Sequence, residues 1–412
     1  MNTTSSSAKQ KAMSRPQLTV TAALLSMVGP ISINTYLPSF PDIEATFGVS
    51  RALLTQSLTV YLVTFAIFTL FWGPLSDRTG RRPVILISMF LYLVSSAGCA
   101  LSQSAESFLL LRGIQGLAAG GAFVAGRAMI RDSCDTRTAQ KIMSQVVLLF
   151  AMAPAMAPVL GGWLQVLFGW RSVFWFLCGF AVLLLIMGFF VKETLSKDKR
   201  QYFHPYHVSR VYWQILRRRE FVCLTLSLAL MFAGMFVYIA GAPTVIYGFL
   251  GLSGDDFGWQ FIPMVAGMML GSFVSGRMVH SWGAARTLTI GFCIGAVGAI
   301  ANLASALLIL PATIISVVAP LVVYSMSYGL VMPVITIMAL DYFPERRGSA
   351  TAVQGFTQVA GNAMVASIAI PLLHAAQSGF AAGQLLFLVL AVILMLYFGF
   401  LEKKMADIGA RK

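Results

Sequence analysis

Twelve runs of roughly 20 apolar residues, each long enough to cross a hydrocarbon core of about 30 Å, set the terms on which this chain folds. They lie near Leu18–Pro38, Leu53–Trp72, Pro83–Ser102, Phe108–Ile130, Ile142–Leu167, Val173–Val191, Phe221–Tyr247, Phe257–Val279, Thr287–Leu310, Ile314–Leu340, Ser349–Leu373 and Phe380–Leu401. With 58% hydrophobic and only 11% charged residues over 412 positions, the chain is too apolar for a soluble packing of that length. The fold class is therefore an all-α polytopic membrane protein with twelve transmembrane helices.

A net charge of +14 raises the question of nucleic acid, and its distribution answers it. With the amino terminus inside, 25 of the 29 Lys and Arg fall on one face. Arg51 and Arg171 fall outside, and Arg112 and Arg127 fall within a span. This is the positive-inside pattern, so both termini are expected to be cytoplasmic, with the bilayer as partner and no nucleic acid. The segment 1–17 is polar and lacks a cleavable apolar core, which marks a cytoplasmic tail rather than a signal peptide. Five cysteines stand singly, so neither a disulfide framework nor a metal site is indicated. No phosphate loop, HExxH pair or GxSxG elbow occurs, and we expect no enzyme, no catalytic residue and no cofactor.

Between the second and third runs, the chain reads GPLSDRTGRRPVIL. Gly73 and Pro74 end the apolar run and Gly80 permits a tight reversal. Asp77, Arg78, Arg81 and Arg82 place both signs of charge where a chain leaves a membrane. The stretch resembles motif A of the major facilitator superfamily. The fourth run holds LLLRGIQGLAAGGAFVAGRAMIRD, similar to motif B, with Arg112 at the position of that motif's arginine. The fifth holds AMAPAMAPVLGGWL, which resembles the antiporter motif C, with Ala157 in place of a glycine and Pro158, Gly161 and Gly162 retained. Together with the YLPxxP ending of the first run and the RAMIRD segment, these resemble the Bcr/CflA drug-resistance subfamily of twelve-span drug:proton antiporters. The matches lie in the first half, and the second half agrees chiefly in span pattern.

The resemblance implies two six-helix halves joined by a cytoplasmic linker, with substrate between them near the midplane. The division is 18–191, a linker 192–220 and 221–401, with a tail 402–412. An amphipathic helix lying on the inner membrane surface or a plain flexible segment both suit the linker, where Val208, Val211, Tyr212, Ile215 and Leu216 recur at helical spacing beside arginines. Motif A implies a gate in which Asp77 docks on the start of span eleven at Gly348 and Ser349 while Arg81 reaches Asp132. Pro158, Gly161 and Gly162 suit either a helix that rocks or a simple packing face.

Candidate substrate and coupling residues follow from polar or adaptable groups in apolar runs. Asn34 and Tyr36 close the first span, where many subfamily members carry an aspartate in place of Asn34. Arg112 and Gln115 follow on the fourth, Arg112 either facing a cavity or snorkelling to headgroups. Met231, Met235 and Tyr238 form a stripe on the seventh that suits either varied apolar ligands or packing. Tyr324 and Tyr328 come from the tenth, and Gln354, Gln358 and Asn362 from the eleventh. None of the 15 acidic residues and none of the four histidines lies deep in a span. The function the resemblance implies is proton-coupled antiport, here of small amphiphilic neutral or weakly anionic drugs, phenicol-like antimicrobials among them, by a monomer in a bacterial inner membrane. Carriage of a metabolite such as a nucleoside or sugar is the alternative within transport. A membrane receptor or an intramembrane enzyme is the alternative outside it.

Overall fold

The computed structural model describes residues 15–134, 136–196, 198, 200, 205–308 and 311–410. The tail up to residue 14, linker residues 197, 199 and 201–204 and the last two residues lie outside them.

The first half begins with α1 (Arg15–Asn34), a short α2 (Phe40–Phe47), α3 (Arg51–Thr79) and α4 (Arg81–Leu101). It continues through α5 (Ala105–Ser133), α6 (Thr136–Phe168) and α7 (Trp170–Phe190). A linker helix α8 (Pro205–Leu216) leads to α9 (Arg219–Ala240) and a π turn over Thr244–Phe249. Then come α10 (Gly258–Leu308), α11 (Ile314–Asp341), α12 (Arg347–Met364), α13 (Ile370–Leu373) and α14 (Gln377–Ala410). Among the described residues, ten helical segments qualify by length and hydropathy as membrane spans. The 51-residue α10 counts once among them although it bends at Gly283 and holds two apolar runs, and the apolar part of α6, Met152–Phe168, supplies the remaining one. Among the described residues there is no strand. The fold is all-α and polytopic.

Polar residues mark where these helices start. Ser50, Ser104 and Thr313 each accept a backbone N–H from the first turn of α3, α5 and α11 with the side-chain oxygen, satisfying donors that lipid cannot. The reversals after the second and eighth spans rest on glycines with positive φ, Gly80 at 107° and Gly283 at 78°. The two halves thus turn by the same device at corresponding places, although the second turn keeps little of the first one's sequence.

In the first half α5 is central, packing on α1, α3 and α4, while α6 lies against α1 and α7 against α4. In the second, α11 packs on α9 and α10, and α14 packs on α9 and α10. Small residues permit these approaches: a side chain at Gly116 would strike the Tyr61 carbonyl, and one at Gly271 the Met326 carbonyl. The halves meet along two seams, α3 with α12 and α6 with α10.

Candidate functional site

Arg112 sits two turns into α5 and is fully buried. Its guanidinium lies between two aromatic faces, 4.2 Å from the Tyr36 ring centroid and 4.5 Å from that of Tyr61. Nη1 donates to the Ser32 carbonyl at 3.4 Å and to Gln115 Oε1, and Gln115 Nε2 donates to Ser96 Oγ at 2.7 Å. Tyr36 and Ser57 share a hydroxyl contact of 3.2 Å, and Ser32 pairs with Tyr92. Arg112 is thus held by α1, α3 and α4 rather than extended to a headgroup, and its Nε and Nη2 are buried without a partner. Asn34 is buried on the same helix end as Tyr36 but turns elsewhere. Its Nδ2 donates back to the Pro30 carbonyl at 2.8 Å, and Oδ1 is buried without a partner.

Sequence reasoning found Arg112, Gln115 and Tyr36 but missed Ser32, Ser57, Tyr61, Tyr92 and Ser96, which complete the cage. Hydroxyl side chains in apolar runs usually bond to their own helix, so only the helix packing distinguishes these five.

In the second half, Met231, Met235 and Tyr238 are buried within the bundle, which fits the packing alternative for that stripe. The Tyr238 hydroxyl accepts from Asn302 Nδ2 at 2.7 Å, Asn302 donates also to Gln384 at 2.7 Å, and Gln260 donates to the Tyr238 carbonyl at 2.7 Å. This neutral network joins α9, α10 and α14. Asn302, Gln384 and Gln260 were not singled out, though each is a lone amide in an apolar run. The Tyr324 hydroxyl donates to the Met231 carbonyl at 3.0 Å. Gln358 Nε2 donates to Tyr328 at 2.9 Å, and the Tyr328 ring lies 5.2 Å from Phe232. Along α12, positions 355 and 361 are glycines with open space where a side chain would point. Gln354 Nε2 and Asn362 Oδ1 are buried beside them without partners.

On the basic face, Arg81 is nearly fully buried and pairs with Asp132 at 2.6 Å and Asp77 at 2.7 Å, donating also to Ser76 Oγ at 2.5 Å. The Arg81–Asp132 contact expected from motif A is present. Asp77, by contrast, pairs with Arg81 and not with the start of α12, where no side chain caps the helix. The group nearest Gly348 is the Arg131 guanidinium, 3.7 Å from where a Cβ would sit. Glu193, unnoticed in the sequence, accepts from the backbone N–H of Arg81 at 2.9 Å and of Arg82 at 3.2 Å, capping α4. A Cβ at Gly80 would run into that carboxylate. Arg82 Nη2 donates to the Phe189 carbonyl at 3.0 Å, which ties the motif to the end of α7, and Arg78 lies in the last turn of α3. Gly73 faces Val124 of α5 at ordinary contact distance. The linker helix α8 lies beside the motif: burial first, then the Asp77 charge, raises the Tyr212 phenol above its ordinary pKa, and Gln214 accepts from Arg346 at 2.6 Å.

At the opposite face the halves touch. The Tyr247 hydroxyl donates to the Pro38 carbonyl at 2.5 Å. Gly161 packs against the Thr35 carbonyl, and Gly162 against the Gly254 carbonyl of the other half, each so closely that no Cβ fits. Pro158 is buried in the same stretch of α6. A narrow gap lined by Phe40, Arg51, Thr55, Ala240, Thr244 and His374 lies beside this seam.

The profile described as Major Facilitator Superfamily matches residues 22–366 and 224–409. The chain belongs to the major facilitator superfamily. It is 30% identical over 396 residues to the uncharacterized MFS-type transporter YdgK of Bacillus subtilis, covering 93% of this chain and 95% of that protein. It is 29% identical over 348 residues to a chloramphenicol resistance protein of Pseudomonas aeruginosa, covering 82% and 81%. That name agrees with the drug-resistance resemblance drawn from the motifs. Among solved structures, a D-xylose-proton symporter matches at TM-score 0.72 with 18% identity, over 91% of this chain and 96% of that one, and so speaks for the fold. The protein is a multi-pass membrane transporter and not an enzyme.

Proposed function

We propose that this transporter exports small amphiphilic compounds, neutral or weakly anionic and phenicol-like among them, by proton-coupled antiport with alternating access. On this reading it works as a monomer in a bacterial inner membrane, and the basic face and both termini are cytoplasmic, as the gathering of Lys and Arg there supports. The observation that carries the substrate class is Arg112, buried with Nε and Nη2 unpartnered and with no described carboxylate within ion-pair distance. Such a guanidinium favours ligands that bring an acceptor and disfavours lipophilic cations.

Uptake of radiolabelled chloramphenicol into everted membrane vesicles tests the reading. We expect accumulation on imposing a pH gradient, collapse on adding a protonophore, and little competition from a quaternary ammonium dye. Transport of the dye as fast as the phenicol would overturn the selectivity. The metabolite alternative draws on the unpartnered Gln354 and Asn362 amides, which would suit a polyhydroxyl ligand. Competition by a nucleoside or a sugar, and none by the phenicol, would favour it.

A further inference from the structure

The membrane-embedded charge of this protein is of one sign. Among the described residues no Asp or Glu falls inside the twelve apolar runs, whereas α5 carries both Arg112 and Arg127. Arg127 is half-buried two turns from the basic end of α5. Its guanidinium lies 4.1 Å from the Phe123 ring centroid and 6.0 Å from that of Phe150 on α6, and its Nε is buried without a partner. Neither arginine has a described carboxylate within 4.0 Å. They stand 15 positions apart, which places them about 22 Å apart along the helix and about 60° apart around it. One broad face of α5 therefore presents a cation near each end of the hydrocarbon, each backed by aromatic rings and each with donors to spare.

Uncompensated cations are costly at such depth, and each is relieved by any anion that moves past it. An organic anion carried outward from a cell whose interior is negative also runs down the membrane potential. We propose that the protein exports amphiphilic monoanions, with Arg127 as the first attachment point and Arg112 as the second, and that the potential acting on the substrate's own charge drives this export. No protein carboxylate then has to carry a proton for this class of substrate. The inference rests on the efflux reading above and narrows it to a substrate class and a driving force.

The test uses the full chain in proteoliposomes with two radiolabelled probes: 2-naphthalenesulfonate, permanently anionic, and chloramphenicol, uncharged. A potassium gradient with valinomycin sets a lumen-positive potential at equal pH, and a trapped pH dye follows protons. We expect the sulfonate to accumulate toward about 50-fold per 100 mV, the equivalent of about 2.3 kcal/mol per charge, with no change in lumenal pH. Arg127→Gln and Arg112→Gln should each slow its uptake at least tenfold, and Arg127→Lys should retain part of it. If the pH gradient moves chloramphenicol but the potential does not move the sulfonate, the inference falls while the efflux reading stands. If sulfonate uptake alkalinises or acidifies the lumen in proportion, the driving force is wrong. If neither probe moves under any gradient, the efflux reading falls and this inference with it.

Discussion

At the centre of a span an arginine costs about 2.5–3.5 kcal/mol on insertion scales, an upper bound for Arg112 two turns into α5. Two desolvated ring contacts of about 0.5–2 kcal/mol each and its hydrogen bonds to Ser32 and Gln115 offset that cost. Its unpartnered Nε and Nη2 do not take part in that compensation, and their N–H groups are what a ligand acceptor gains. The planar fork matters, because an ammonium cannot lie flat between Tyr36 and Tyr61. Arg112→Lys is therefore expected to lose transport nearly as fully as Arg112→Ala, at least tenfold at equal membrane abundance, measured by phenicol uptake. Asn34→Asp places an anion two residues from both Ser32 and Tyr36, which touch Arg112, and should shift resistance from phenicols toward quaternary ammonium dyes. Unchanged resistance profiles would show that Asn34 does not share Arg112's field. At this scale the sequence was legible where a residue was out of place in its run: Arg112 and Gln115 announce themselves in an apolar helix. Tyr61 and Ser96 do not, because tyrosine and serine are ordinary there and their partners depend on which helices abut.

The turn between α3 and α4 is a compact electrostatic joint. Arg81 takes both Asp77 and Asp132, Glu193 caps α4 from the far end of the first half, and Tyr212 of α8 feels Asp77. Asp77→Asn removes one of the two charges that hold Arg81 and leaves Asp132 in place, so insertion should survive. Transport should fall at least tenfold, measured as flux per inserted protein. Glu193→Gln removes the charge at the α4 N-terminus, a loss of about 0.3–1 kcal/mol, and should lower the melting temperature in detergent, while leaving Arg81 paired with Asp132. The Arg81–Asp132 pair could be read from motif spacing alone. Glu193 could not, since its contact bridges 112 positions and exists only because α7 returns beside α4. Asp77 shows the complementary limit: the motif names the residue, but whether it faces Arg81 or the start of α12 is a matter of conformation.

For the whole molecule, hydropathy and charge alone prescribed the twelve spans, because lipid admits only helices or closed barrels and unbroken apolar runs of about 20 residues fit the helix. The two seams, α3 with α12 and α6 with α10, were not readable, since they join helices far apart in sequence, and only at the α6 seam do glycines, Gly162 and Gly258, mark the close approach. The alternating access proposed above would work at those seams. In this structure Gly162 abuts the Gly254 carbonyl and Gly258 lies against Val159 across the halves at the face opposite the basic one. Transport by rocking requires that contact to part in every cycle. The most direct measurement is a disulfide across it. Gly258 would place a Cβ 3.2 Å from a Val159 methyl, close enough for the pair Val159→Cys and Gly258→Cys to bridge on oxidation. Oxidised proteoliposomes should lose phenicol transport at least tenfold and recover it on adding a reductant, with each single variant unaffected. A fully cross-linked protein that still transports at the reduced rate would contradict alternating opening of the two halves.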